Sequence, residues 1–129
     1  MIVDASALIA VVLKEPDWES YEAALVNSAE NMMSPVNRME VFMRLESIGG
    51  EWLVQKFDAL AAVLRLKTEP IDDFQLDLAQ SAFRRFGKGR HKAALNMGDC
   101  FAYALARSKG QAILYKGNDF GHTDLESAL

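Results

Sequence analysis

Four carboxylates stand where an acid is either costly or strategically placed. Asp4 ends the apolar run Met1-Ile2-Val3, Glu40 lies within Ser34-Pro35-Val36-Asn37-Arg38-Met39-Glu40-Val41, Asp99 opens an alanine-rich apolar stretch, and Asp119 closes Gly117-Asn118-Asp119. An acid on an apolar face needs a partner. Each also has an ordinary structural explanation. Asp4 suits the N-cap of a following helix with Ser6 as a local hydrogen-bonding residue, and Asp99 suits a cap or first-turn acid that complements the helix dipole. Glu40 can close a capping box with Asn37, and Asp119 can be a plain turn residue. Taken together, four such charges in one pocket of reduced dielectric repel one another unless some are protonated or a hard cation sits between them. All-oxygen ligation, without a His/Cys cluster at zinc spacing, favours Mg²⁺, with Mn²⁺ as the alternative. Other catalytic equipment is missing: there is no Walker-type phosphate loop, no Gly-x-Ser-x-Gly elbow and no His-Glu-x-x-His. Cys100 with His91 raises a thiol nucleophile, but the setting Asp-Cys-Phe-Ala-Tyr-Ala-Leu-Ala reads as a small core residue.

The elements that must position these acids follow from hydrophobic pattern and punctuation. Met1 to Asp4 reads as a short buried strand running into a helix from about Ala5 to Leu13, stopped by Glu15-Pro16. A second helix follows at about Asp17 to Ala29. Met32-Met33 is too short to convince as a strand, but Ser34-Pro35 is a good helix start, with serine at the N-cap and proline at the first helical position. That helix runs to Ile48, where Gly49-Gly50 ends it. Glu40 lies on its face with Val36 and Met43. Leu53, Phe57, Leu60 and Leu64 form the stripe of another helix, Leu66 to Glu69 is a possible strand, and Leu76, Ala79, Phe83 and Phe86 mark a further helical face. Gly87 to Asn96 reads as a basic loop, Gly98 to Ser108 as a buried helix, and Ala112 to Tyr115 as a strand. Strands separated by helices predict an α/β sandwich with a mainly parallel sheet, whose ligands bind beyond the carboxyl ends of the strands. Asp4 and Asp119 then belong to the same edge.

At 129 residues the chain suits one continuous domain, residues 1–129, with no repeat or linker. Half the residues are apolar and a quarter charged, an ordinary globular balance. The single cysteine rules out an intrachain disulfide framework, so the cytoplasm is the expected compartment. The first residues do not resemble a secretory signal, and no run is apolar enough to cross a bilayer. The net charge of −4 argues against nucleic acid, yet it conceals an asymmetry: residues 1–83 carry six Lys/Arg against fourteen Asp/Glu, and residues 84–129 carry eight against four.

These segments resemble one family. Ile2 to Leu8 (Ile-Val-Asp-Ala-Ser-Ala-Leu), Glu40 in its Ser-Pro-Val-Asn-Arg-Met-Glu-Val setting, Asn96 to Ala106, and Leu114 to Phe120 match PIN-domain ribonucleases, specifically the VapC-type toxins of bacterial toxin-antitoxin pairs, in the family's order and over nearly the whole chain. The resemblance implies a three-layer α/β/α PIN-like domain, metal-dependent endoribonuclease activity leaving 5′-phosphate and 3′-hydroxyl ends, homodimerisation, and inhibition by a VapB-type antitoxin. It makes Asp4 and Asp99 the central metal ligands, Glu40 a third acid and Asp119 a fourth, with Ser6 orienting the cluster and Asn96 supporting it. Asp124 falls where some relatives keep another acid and is left out as structural. Position 5 is alanine where many relatives have Thr or Ser, leaving Ser6 to orient Asp4 alone.

If RNA is the substrate, something must offset its repulsion from an acidic pocket. Arg84, Arg85, Lys88, Arg90 and Lys92 form a run without an acid that suits a phosphate clamp, and equally a solvated basic loop. Lys116 beside Asp119 is a further phosphate contact or a solvated turn lysine. Trp18, Tyr21 and Trp52 at helical spacing are read as core rather than as a partner surface. Two rival functions remain. An aspartyl phosphatase acting on small phosphoesters is disfavoured because dehalogenase-like enzymes need a second aspartate two residues after the nucleophile, where this chain has Ser6. A catalytically silent PIN-fold binding module is disfavoured by the presence of all four acids.

Overall fold

The computed structural model describes all residues, 1–129. Four strands of two residues each are interspersed with helices: β1 (Ile2–Val3), α1 (Ala5–Leu13), α2 (Trp18–Asn27), β2 (Met32–Met33), α3 (Pro35–Val63), β3 (Lys67–Thr68), α4 (Asp73–Phe86), α5 (Met97–Lys109) and β4 (Ile113–Leu114), followed by a 3₁₀ turn at Phe120–His122. The sheet order is β3-β2-β1-β4 and every pairing is parallel.

The strands are short, but their alternation builds three layers. Ile2, Met32 and Ile113 point into one apolar cluster with Ala79, Ala82 and Phe86 of α4 and the apolar face of α5. Their neighbours Val3, Met33 and Leu114 point into a second cluster with α1, Leu25 of α2 and the inner face of α3. One side chain per strand to each face is the period-2 geometry of a pleated strand. The result is an α/β/α sandwich with α4 and α5 on one side and α1, α2 and α3 on the other.

Two departures from the sequence reading, at Met32-Met33 and at Trp52, have local causes. Met32-Met33 is a full strand lying between β1 and β3, because parallel neighbours on both sides supply the hydrogen bonds that two residues cannot supply alone. Gly49-Gly50 breaks the third helix where the sequence places its end: Gly50 adopts φ 65°, ψ −155°, and a second helical segment carrying Leu53 and Phe57 follows at once, the two together forming the kinked α3. A φ in that region is cheap for glycine and strained for other residues. Trp52, just past the kink, is 69% exposed and not core, whereas Trp18 and Tyr21 pack half-buried against the second cluster.

Candidate active site

All strands being parallel, their carboxyl ends share one edge. Asp4 follows β1 there, and its backbone amide still donates to Leu114 O at 2.9 Å, so its position is locked to β4. Ser34 follows β2 and caps α3, its hydroxyl accepting from the Val36 amide at 3.3 Å. α5 runs antiparallel to the strands into β4, which brings its N-terminus to the same edge.

Asp4 is buried, and Oδ2 takes the Ser6 amide at 3.0 Å and the Ser6 hydroxyl at 2.5 Å. The Ser6 oxygen in turn accepts from the Lys116 amide at 2.9 Å, which ties the β1–α1 junction to the segment after β4. Asp99 sits in the first turn of α5. Its Oδ2 accepts from the Asn96 amide at 3.0 Å while Asn96 Oδ1 accepts from the Asp99 amide at 2.9 Å, a reciprocal capping box. Asn96 thus supports Asp99 directly.

Glu40 enters from α3. Asn37, fully buried one turn earlier, donates through Nδ2 to Glu40 Oε1 and to Gly98 O, both at 2.9 Å. The two residues form no capping box, since Ser34 is the cap. The glutamate carboxylate rests directly on Gly98: a Cβ there would lie 1.8 Å from Glu40 Oε1. Val36 is half-buried, but Met43 is 56% exposed, so Glu40 lies at the rim of α3 rather than on an apolar stripe; the buried face carries Asn37, Val41 and Leu45. Asp119 is exposed at the start of the 3₁₀ turn and caps nothing with its side chain.

The electrostatics tie the four acids together. Burial raises the Asp99 carboxyl to about 7 against a hydrogen bond from Asn96 that lowers it, and the charges of Asp4, Asp119 and Glu40 add to the rise. Burial raises Asp4 too, with Asp119 contributing, and burial followed by the Asp4 charge raises Glu40. Glu40 Oε2 and Asp99 Oδ1 make no hydrogen bond within the protein, and Asn37 Oδ1 is buried without a partner. Such a donor set suits a hard cation in its chemistry. In geometry no three acidic, histidine or cysteine side chains close on one coordination point, so side-chain rotation must complete a ligand shell.

The basic run divides. Arg85 is held by Asp124 at 3.3 Å and by the Tyr103 hydroxyl at 3.2 Å, so it serves the fold, with half of its side chain still exposed. Asp124 also accepts from the Tyr103 hydroxyl at 2.7 Å, and these partners outweigh partial burial to hold its carboxyl below the usual range. Arg84, Lys88, Arg90 and Lys92 are exposed and make no ion pair; Lys116 lies 3.5 Å from Glu15 Oε1. Cys100 is buried in the first cluster, and burial, with Asp99 beside it, pushes its thiol to about 11, as a core residue rather than a nucleophile. Asn37 and Gly98 are the contributors that sequence reasoning missed. Asn37 was visible only as a possible cap partner, and nothing in the spacing announces that Gly98 receives a carboxylate from another helix.

Comparison with known proteins gives a consistent result. The family model described as PIN domain matches residues 1–126. Ribonuclease VapC30 of Mycobacterium tuberculosis (strain ATCC 25618 / H37Rv) is 40% identical over 125 residues, covering 97% of this chain and 95% of the relative. Ribonuclease VapC of Mycolicibacterium smegmatis is 42% identical over 133 residues, covering 97% of both. The crystal structure of Mycobacterium tuberculosis VapC20, described as a sarcin-ricin loop cleaving toxin, superposes with a TM-score of 0.78 at 16% identity, over 96% of this chain and 95% of that one.

Proposed function

The chain belongs to the PIN-domain family, among the VapC ribonucleases, and from that membership we propose that it is the toxin of a toxin-antitoxin pair, an endoribonuclease that hydrolyses RNA phosphodiester bonds with Mg²⁺ or Mn²⁺. The observation that carries the reading is the meeting of Glu40 from α3 with Gly98-Asp99 of α5, at the sheet edge where Asp4 ends β1. The proposed ligands are Asp4 and Asp99 at the centre, Glu40 as third acid and Asp119 as fourth.

When bound, a divalent cation supplies counter-charge to the acids and to the phosphate, and Lewis acidity toward water. The protein's own part is positional. Ser6 restrains one oxygen of Asp4, the Asn96 amide one oxygen of Asp99, and Asn37 one oxygen of Glu40, so three of the four acids have a limited range of rotation through which to reach a shared cation. One of the acids relays a proton during the reaction, and Asp119 is the exposed member of the set. Arg84, Lys88, Arg90 and Lys92 draw the RNA backbone in by charge.

By the same reading the chain forms a homodimer, acts in the cytoplasm and is silenced by a VapB-type antitoxin that lays a helix in a groove and brings a basic residue to the acids. No helix is long and apolar enough to cross a membrane. The test is expression of the protein alone beside Asp4→Asn, with RNA ends mapped with and without Mg²⁺. New 5′-phosphate ends, dependent on both the metal and Asp4, are expected. Equal growth arrest and identical ends from the two proteins would remove the nuclease reading.

A further inference from the structure

One cavity near the start of α5 is lined by none of the four acids. It has a volume of about 560 Å³ and opens between α4 and α5, where Phe83, Arg84, Arg90, Met97, Cys100 and Phe101 line it. That volume is in the range of small-ligand sites. It is linked to the candidate active site through α5, whose first turns carry Met97, Cys100 and Phe101 on one face and Asp99 on another.

Its chemistry is specific. Phe83 is 40% exposed and Met97 72% exposed, an apolar lining open to solvent. The Arg90 guanidinium stands 5.4 Å from the centre of the Phe83 ring, as in a cation-π stack. Neither Arg84 nor Arg90 is paired with an acid, although Arg85 between them in sequence is. The loop carrying Arg90 is braced at its neck, with the Lys88 amide donating to Leu95 O and the Leu95 amide to Phe86 O, both at 2.9 Å. Inside the loop, His91 Nδ1 accepts from the Ala93 amide at 3.0 Å. The arginine is therefore presented from a built structure.

Resting on the ribonuclease reading, we propose that this cavity is a nucleobase subsite: it receives one unstacked base of single-stranded RNA, adjacent to the phosphate cut at the acids. Phe83, Met97 and Phe101 cover the faces of the base, and Arg84 and Arg90 neutralise the flanking phosphates. Aromatic side chains beside unpaired cations are how proteins hold single strands, and sequence-specific readers of RNA take splayed-out bases in this way. RNA fits better than a protein segment because the lip of the cavity carries free positive charge on the approach to a cluster that an anionic chain must reach. The cavity suits one planar group, not the broad face that a stable protein pair buries.

The test has a binding arm and a cleavage arm. For binding, Asp4→Asn protein is titrated with single-stranded RNA decamers carrying 2-aminopurine at each position in turn. Fluorescence quenching at one position is expected, and Phe83→Ala or Met97→Ala in the same background should weaken binding of that decamer about tenfold, the scale of one lost base stack. For cleavage, a randomised RNA pool is cut by otherwise unaltered protein and the ends are sequenced. The base preference at one nucleotide beside the cut should relax in Phe83→Ala and Met97→Ala, with KM raised about tenfold and kcat lowered less than threefold. Unchanged affinity and unchanged base preference in both variants overturn the proposal. So does loss of binding that tracks a fall in oligomeric order by light scattering, which would make this face a contact between copies. Quenching that depends on Phe83, with no cleavage by the unaltered protein, would sink the ribonuclease reading and leave the subsite standing.

Discussion

Replacing Gly98 by alanine tests the architecture of the acid cluster through a residue that carries no functional group. An alanine Cβ would stand 1.8 Å from Glu40 Oε1, 2.4 Å from Cδ and 2.7 Å from Oε2, against an ordinary contact of 3.4 Å or more. The carboxylate must retreat by about 1.6 Å to make room. That retreat breaks the 2.9 Å bond from Asn37, while Asn37 keeps its bond to the residue-98 carbonyl. Misplacement of a reacting group by about 1 Å costs on the order of 100-fold in rate, so kcat should fall about that much. The fold should barely register it. Gly98 lies in regular helix without a positive φ, where alanine gains up to about 1 kcal/mol of helix propensity. The lost hydrogen bond to a charged group costs about 1.5–3 kcal/mol when buried, and less at a half-buried rim. The net change is about 1–2 kcal/mol at most, a few degrees in Tm. Single-turnover RNA cleavage and thermal melts by circular dichroism measure the two quantities on one preparation. The decisive comparison is with Glu40→Ala, where adding Gly98→Ala should cost less than threefold because the displaced group is already gone. A Gly98→Ala protein that cuts RNA within threefold of the parent refutes the reasoning, and so does a full penalty that persists without Glu40.

Three further outcomes follow from the charges. The Asp99 carboxyl is raised to about 7 from an ordinary value of 3.8, so between those pH values the folded state binds more protons than the unfolded one and stability falls as pH rises. Metal-free protein should therefore melt at lower temperature at pH 7.5 than at pH 5. Asp99→Asn should flatten that slope and raise the pH 7.5 melting temperature while abolishing cleavage; a slope unchanged by the substitution counts against crowding of the acids. Arg85→Ala should lower Tm by only a few degrees, since its pair with Asp124 is partly exposed and worth about 1 kcal/mol or less, and should leave KM for RNA unchanged. A tenfold rise in KM would return Arg85 to the RNA path. Cys100, 4% exposed in the cavity wall and with its thiol pushed to about 11, should resist iodoacetamide in the native protein at pH 8; rapid alkylation, read by mass spectrometry, would show that the wall between α4 and α5 opens readily.

Much of this was legible because the relevant signals are local. Ser34-Pro35 announces the start of α3, the alanine-rich run after Asn96 announces α5, and short apolar strands between helices announce a parallel sheet, whose carboxyl edge predicts where acids can meet. What stayed illegible depends on partners distant in sequence. Met32-Met33 becomes a strand only between two parallel neighbours, and Trp52 is exposed on the outer face of the helical segment whose inner face buries Leu53 and Phe57. Arg85 looks like its neighbours until Asp124 and Tyr103, far along the chain, claim it.

At the acids, structural and functional roles are not alternatives. Asp4 does cap α1, through the Ser6 amide, and Asp99 does close a capping box with Asn96. A carboxylate has two oxygens, and a cap engages one. For Asp99, Oδ2 is fixed by the backbone and Oδ1 is left without a protein partner; for Glu40, Oε1 is fixed by Asn37 and Oε2 is left in the same state. The capping bond at Asp99 and the Asn37 bond at Glu40 each restrain one oxygen and leave the other open to a ligand, with rotation still needed to bring the acids onto one cation. Asp4, at the β1–α1 junction, is a cap on the edge where ligands of a parallel sheet collect, and Asp99 is a first-turn acid brought to that edge by α5, which follows α4 rather than a strand.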